Sequence, residues 1–303
     1  MINFVKYRLI YFIFSGLLIL ASLVSLIIWG LQPGIEFTGG TLIEISYKNQ
    51  RPSVETIKGA ISELEFKEAE VKLVGEKGIN LRVESKNISN EFQQKISDKL
   101  EETGEIEEGS LNFETISSTV GKELKAKIQI ITILSILVIV LYIALAFKKV
   151  SRPISSWQYG IASLLTLFHD ILITLGFFSV LGKFYGIQMT IPVMTALLVI
   201  IGYAINDKIV VFDRVRENLL KKANLRYDET INISLNQTLS RCLSTSLTTL
   251  FSLLAIFFFG GETLKYFSLA LIIGVSFGTY SSIFLASPIL VSWLEWREKK
   301  RYG

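Results

Sequence analysis

The chain has 303 residues, half of them hydrophobic, with a mean hydropathy of +0.47 and 31 Lys and Arg against 27 Asp and Glu. The charges are gathered into segments separated by long uncharged runs, which excludes an ordinary soluble protein and points to a polytopic membrane protein. The lone Cys242 and lone His169 exclude an internal disulfide, a Cys-rich zinc site and a His-x-x-x-His metal site. Neither Gly121-Lys122 nor Gly182-Lys183 is followed by Ser or Thr, so no P-loop is present. The expected activity is therefore not that of an ATPase or a metalloenzyme, and no cofactor is implied.

About 20 apolar residues in a helix cover the roughly 30 Å hydrocarbon core of a bilayer. Runs free of Asp, Glu, Lys and Arg cover residues 9–35, 128–147, 184–206, 242–261 and 266–294, and a sixth, 153–182, is interrupted only by Asp170. Six spanning helices are expected. The first, Leu9 to about Trp29, is longer than a signal-peptide core and is followed by no small-x-small cleavage site, so it reads as a retained anchor. The N-terminus, 148–152, 208–226 and the C-terminal tail hold 2, 3, 6 and 4 basic residues, and the turns on the other side only Lys183 and Lys265. The positive-inside rule then places both termini in the cytoplasm.

Between the first two spans, residues 33–127 carry 13 basic and 18 acidic side chains and form an extracytoplasmic insert in this topology. Ile43, Ile45 and Tyr47 alternate as in a strand, and Ser53 is a candidate cap for a helix with Val54, Ile57, Ile61 and Leu64 on one face. Val71 and Leu73, then Ile79, Leu81 and Val83, read as two strands joined around Gly75 and Gly78. Ser89 is placed to cap a helix bearing Phe92, Ile96 and Leu100, and Leu111 and Phe113 mark a last strand. The order β-α-β-β-α-β is that of a small ferredoxin-like domain. The expected organisation is 1–32, cytoplasmic N-terminus and first span; 33–127, extracytoplasmic α+β domain; 128–294, five further spans; and 295–303, cytoplasmic tail.

Ionisable groups inside spans are costly, and each is by default a functional hypothesis with a partner to name. Asp170 sits centrally in its run, and Ser163, Thr166, Asp170 and Thr174 share one face at helical spacing, a face unsuited to lipid. Asp207 closes the fourth span after Gly202 and Asn206, and Arg241 opens the fifth, with Ser244, Thr248 and Ser252 stacked beyond it. The two lie at similar depth and are expected to pair. Protonation of Asp207 would release Arg241 and let helices shift, whereas a static interfacial salt bridge fits the spacing equally well. His169 reads as a packing residue with its role open, and spans one and two, nearly devoid of polar residues, read as peripheral. In the last span Ala270, Gly274, Gly278, Ser282 and Ala286 recur every fourth residue, a stripe that admits a close neighbour.

Several of these segments resemble those of one family. Gly34-Ile35-Glu36-Phe37-Thr38-Gly39-Gly40 follows the first span; Phe168-His169-Asp170-Ile171-Leu172-Ile173-Thr174-Leu175-Gly176 lies in the third. Ile201-Gly202-Tyr203-Ala204-Ile205-Asn206-Asp207 leads into Val210-Val211-Phe212-Asp213-Arg214-Val215-Arg216-Glu217-Asn218, and Asn236-Gln237-Thr238-Leu239-Ser240-Arg241 leads into the fifth span. Phe259-Gly260-Gly261-Glu262 and Gly278-Thr279-Tyr280-Ser281-Ser282 belong to the sixth. In this order they resemble the SecD/SecF family of protein-export membrane proteins, within the resistance-nodulation-division (RND) superfamily. Glu36 stands where that family usually has Asp, and the approach to the second span, Val120-Gly121-Lys122-Glu123-Leu124, is shorter than the common form.

The resemblance implies half of an RND-like unit completed by a sister subunit, SecD, and association with the SecYEG channel. It further implies use of a proton or sodium gradient to draw unfolded secreted polypeptides outward. Carried onto this chain, it makes Asp207 and Arg241 the coupling residues, with Asp170 and Asn206 supporting them; Gly34, Gly39 and Gly40 lie in the family signature, and as glycines they suit a plain tight turn or a hinge equally well. Half of a small-molecule RND exporter and a non-motor scaffold of the export complex are the alternatives.

Overall fold

A computed structural model describes residues 2–62, 64, 69–83, 90–146, 153–221 and 225–302. In chain order the elements are α1 (Arg8–Trp29), α2 (Ile35–Thr38), β1 (Gly40–Ser46), α3 (Val54–Ser62), β2 (Ala69–Val74), β3 (Gly78–Val83), α4 (Asn90–Glu101) and β4 (Asn112–Ile116). The long helices α5 (Ser118–Ala146), α6 (Ser156–Tyr185), α7 (Ile191–Lys221), α8 (Tyr227–Phe259) and α9 (Glu262–Ser281) follow, then a π-helical turn, Ser282–Ala286, and α10 (Ser287–Tyr302). The chain divides into a helical unit, Met1–Gly30 with Ile131–Ser179 and Pro192–Gly303, and a mixed unit, Leu31–Ile130 with Val180–Ile191.

Among the described residues, five stretches are long and apolar enough to cross a membrane: Arg8–Trp29, Ser156–Tyr185, Ile191–Lys221, Tyr227–Phe259 and Leu264–Lys300. The sixth expected run, 128–147, lies largely in α5. The basic segment 148–152, Lys222 and the expected cap Ser89 fall outside the described residues.

In the mixed unit, the sheet order is β2-β3-β1-β4 with every neighbouring pair antiparallel. Period-two alternation places Ile43, Ile45, Tyr47, Ile79, Leu81 and Val83 on one face, and α3 and α4 cover it with Ile57, Ile61, Ile96 and Leu100; all ten are buried. Ser53 caps α3 as expected: its Oγ accepts the Thr56 N–H at 3.2 Å. Gly75 turns the chain between β2 and β3 with φ +59°.

In the helical unit, α1 reverses the soluble-protein pattern. Leu9, Ile13 and Ile27 are largely exposed, and the buried positions are Ser15, Ser22 and Ser25. The serines are small enough to let α6 come close: a β-carbon on Gly176 would lie 2.4 Å from that of Ser22, and the Ser179 hydroxyl donates to the Ser25 carbonyl at 2.9 Å. The first span therefore packs through a polar stripe rather than standing apart. The small-residue stripe of α9 has the same use. A β-carbon on Gly274 would lie 2.2 Å from the Ile200 side chain, and one on Gly278 would lie 3.1 Å from that of Ala204, so α7 and α9 meet nearly backbone to backbone. At the other end of the unit, Arg8 donates to Glu295 at 2.8 Å, tying the N-terminus to α10.

Candidate ion-coupling site

The expected polar face of α6 is fully interior. Ser163, Thr166, Asp170 and Thr174 are all buried, and the three hydroxyls each satisfy themselves on a carbonyl one turn back in their own helix: Tyr159, Ala162 and Asp170. Asp170 alone reaches across. Its Oδ2 accepts from Lys208 Nζ on α7 at 3.0 Å and from Ser281 Oγ on α9 at 2.8 Å, and its Oδ1 lies 2.9 Å from Nδ1 of His169. Asp170 and Lys208 are both wholly inaccessible. A buried ion pair survives only where the remaining lone pairs and protons are also satisfied, and here the serine and the imidazole serve the carboxylate. One carboxylate thus joins three helices through charge-assisted bonds.

Sequence reading misses Lys208, because it follows Asp207 at the end of an uncharged run and counts with the basic residues of 208–226. The periodicity held the signal: Leu197, Ile201, Ala204, Lys208, Val211 and Val215 recur every three or four residues on the buried face of α7. Ser281 stands in the segment Gly278–Ser282, but its spacing does not mark it as a partner of Asp170.

Asp207, one residue before Lys208, points toward a different neighbour. It is buried, and Ser246 on α8 donates to its Oδ2 at 3.3 Å; Ser246 is in turn 2.6 Å from the Thr279 hydroxyl on α9. Among the described residues Asp207 and Arg241, which is exposed, form no direct ion pair; the guanidinium acts on the carboxylate through space, and the direct contact is a hydroxyl. The polar stripe assigned to α8 also lies on the other side. Ser244, Thr248 and Ser252 are exposed, and the buried face carries Cys242, Ser246 and Leu253. Two residues along a helix is about 200° of rotation, so Ser246 faces inward where Ser244 and Thr248 face out. Asn206 is exposed as well.

In the mixed unit, Gly39 and Gly40 hold φ +75° and +116°, and a β-carbon on Gly40 would lie 2.9 Å from the Val83 carbonyl oxygen, so both positions require glycine. Gly34 has ordinary φ; its need is space, because a β-carbon there would overlap the Glu36 carboxylate. That carboxylate accepts the Ile191 N–H, at the start of α7, at 3.2 Å.

Comparison with known proteins identifies the family. The family described as "Protein export membrane protein SecD/SecF, C-terminal" matches residues 95–296, and the "SecD/SecF GG Motif" matches residues 24–50. The chain is 38% identical to the protein translocase subunit SecF of Thermobaculum terrenum, over 97% of this chain and 94% of that one. It is 35% identical to the subunit SecDF of Thermus thermophilus, over 93% of this chain and 37% of that longer one. The crystal structure of SecDF from Thermus thermophilus superposes with a TM-score of 0.82 at 33% identity, covering 96% of this chain and 38% of the other. With family motifs, near-complete alignment to a relative and a shared fold in agreement, this membrane chain belongs to the SecD/SecF family of protein export membrane proteins.

Proposed function

We propose that the chain is a SecF-like subunit of the Sec protein-translocation machinery, which with a SecD partner uses an ion gradient to promote outward movement of secreted polypeptides at a SecYEG channel. In this reading α5 is a sixth span, both termini are cytoplasmic, and the mixed unit is a ferredoxin-like domain outside the membrane that meets the emerging chain. Asp207 and Arg241 are the coupling pair, completed by the partner half.

The observation that supports this most is the outward polar face made by Arg241, Ser244, Thr248 and Ser252 on α8, with Asn206 on α7, on helices of mean hydropathy 1.9 and 1.7. A guanidinium turned toward hydrocarbon at that depth would be costly, so this face suits a second protein or a hydrated path. A fused SecDF relative, of which this chain spans 37%, supports a SecD-like half as the occupant. Asp207 lies just behind that face. One charge moved through 100 mV releases about 2.3 kcal/mol, enough to shift a two-state helix arrangement by tens of fold.

The test replaces Asp207 by Asn and Arg241 by Met in separate strains and follows maturation of a secreted reporter, with co-purification of SecD as the assembly control. Slow export with intact assembly is expected in both. Normal export rates in both variants would overturn the reading.

A further inference from the structure

Between residues 3–9 and residues 228–232, the first turns of α8, the helical unit holds a cavity of about 320 Å³. Its walls are fixed. Phe4 and Val5 are buried in the core, and the side-chain oxygens of Asn3 and Asn232 accept the backbone N–H groups of Lys6 at 3.1 Å and Phe4 at 2.8 Å. An amide whose oxygen accepts a backbone N–H keeps its nitrogen as a donor, so both asparagines still have N–H groups to offer to a ligand.

Most of the charge around this cavity is already matched. Arg8 gives both terminal guanidinium nitrogens to Glu295, and Asp228 accepts from Arg226 at 3.1 and 3.2 Å. Two groups remain. The Lys6 ammonium, 5.9 Å from the Tyr7 ring, and the Glu229 carboxylate are exposed, and neither has an ion-pair or hydrogen-bond partner among the described residues. One uncommitted cation and one uncommitted anion on a single cavity complement a zwitterion rather than an ion of one sign. The position gives its class. Leu9 lines the cavity, is 68% exposed and begins the apolar run of α1, and Ile10 and Ile13 beyond it are exposed too. The cavity therefore opens where the span meets the headgroup layer, with a lipid-facing surface leading from its rim. Its volume is at the small end of ligand sites and suits a headgroup.

We propose that this cavity holds the headgroup of one phosphatidylethanolamine molecule, with its phosphate against the Lys6 ammonium and the asparagine amides and its primary ammonium against Glu229. The acyl chains lie along the exposed apolar face of α1. Phosphatidylcholine carries the same two charges, but its nitrogen bears only carbon and has no N–H to give to a carboxylate. Phosphatidylglycerol has no cation, so its phosphate would meet Lys6 while Glu229 faced an anion. The site thus ranks ethanolamine above choline and glycerol. It uses none of the residues assigned to ion coupling and does not rest on that reading.

The test is native mass spectrometry of the full-length chain, released from detergent after incubation with equal amounts of phosphatidylethanolamine, phosphatidylcholine and phosphatidylglycerol of identical acyl chains. Wild type should retain phosphatidylethanolamine over either competitor by about fivefold or more, as one hydrogen bond between charged groups at an exposed site would give. Glu229→Ala should bring phosphatidylethanolamine down to the level of phosphatidylcholine, and Lys6→Gln should weaken retention of all three. Excess phosphoethanolamine, the headgroup without its chains, should not displace the lipid. Equal retention of the three lipids by wild type, a preference for phosphatidylethanolamine that survives Glu229→Ala, unchanged retention in Lys6→Gln, or displacement by phosphoethanolamine would overturn the proposal. The wild-type comparison decides it even where a variant does not fold.

Discussion

Lys208→Met isolates the buried pair that organises the helical unit. Met keeps the length and apolar stem of lysine and removes the ammonium, leaving Asp170 inaccessible with only the Ser281 hydroxyl and the His169 imidazole beside it. Removing one partner of a buried ion pair costs about 3–5 kcal/mol, because the remaining charge is left uncompensated. The contrast is Lys221→Met. That lysine lies 2.6 Å from Glu217, but its side chain is 70% exposed, and surface pairs of this kind contribute about 0–1 kcal/mol. Distance therefore ranks the two pairs one way and burial the other, and burial should decide. Equilibrium unfolding in detergent micelles titrated with SDS would compare Lys208→Met, Lys221→Met, Asp170→Asn and the double variant Asp170→Asn with Lys208→Met. The double variant should be more stable than the sum of its single changes by about 2 kcal/mol or more, since it removes both charges together. Lys208→Met within about 0.5 kcal/mol of wild type, or a cycle that is simply additive, would refute the reasoning.

Gly274→Ala should destabilise the helical unit by about 1–3 kcal/mol, because its new methyl would lie 2.2 Å from the Ile200 side chain; adding Ile200→Ala should recover most of the loss, read in the same unfolding assay. In the mixed unit, partial burial, with the carboxylates of Glu36 and Glu44 nearby, pushes the Glu114 carboxyl above its ordinary value of 4.5. A carboxyl raised in the folded state contributes stability that is present below the unfolded value and lost as pH rises through the folded one. Stability followed from neutral pH down toward about 4.5 should thus improve from this group, and Glu114→Gln should flatten that dependence; an unchanged pH profile in the variant would contradict it.

Much of the fold was legible wherever a single face of an element is buried against its own chain. Ile43, Ile45 and Tyr47 gave β1 by alternation, and Ser163, Thr166, Asp170 and Thr174 gave the interior face of α6 by helical spacing, because in each case period and burial coincide. The stripe from Ala270 to Ala286 was legible for the same reason. Lys208 was not, because hydropathy marks where charge begins and not where a helix ends: α7 continues unbroken to Lys221, so the boundary of the uncharged run is not a boundary of the structure. On α8 the spacing shows a polar stripe but not which way it faces. In a membrane, however, Ser244, Thr248 and Ser252 mark only a face that avoids lipid, and a face toward another protein satisfies that equally. The serines of α1 escape a hydropathy reading because three hydroxyls scarcely lower the hydropathy of 22 residues.

An ion gradient acting through Asp207 is the proposed source of work. Its most direct test is the rate at which a reporter is exported, with and without a protonophore, in cells carrying wild-type chain or Asp207→Asn, after SecD is shown to co-purify with both. Wild-type export should slow when the gradient is collapsed. Export by the variant should already be slow and should not respond further at this step. A variant that exports at the wild-type rate and loses as much to the protonophore would contradict the account.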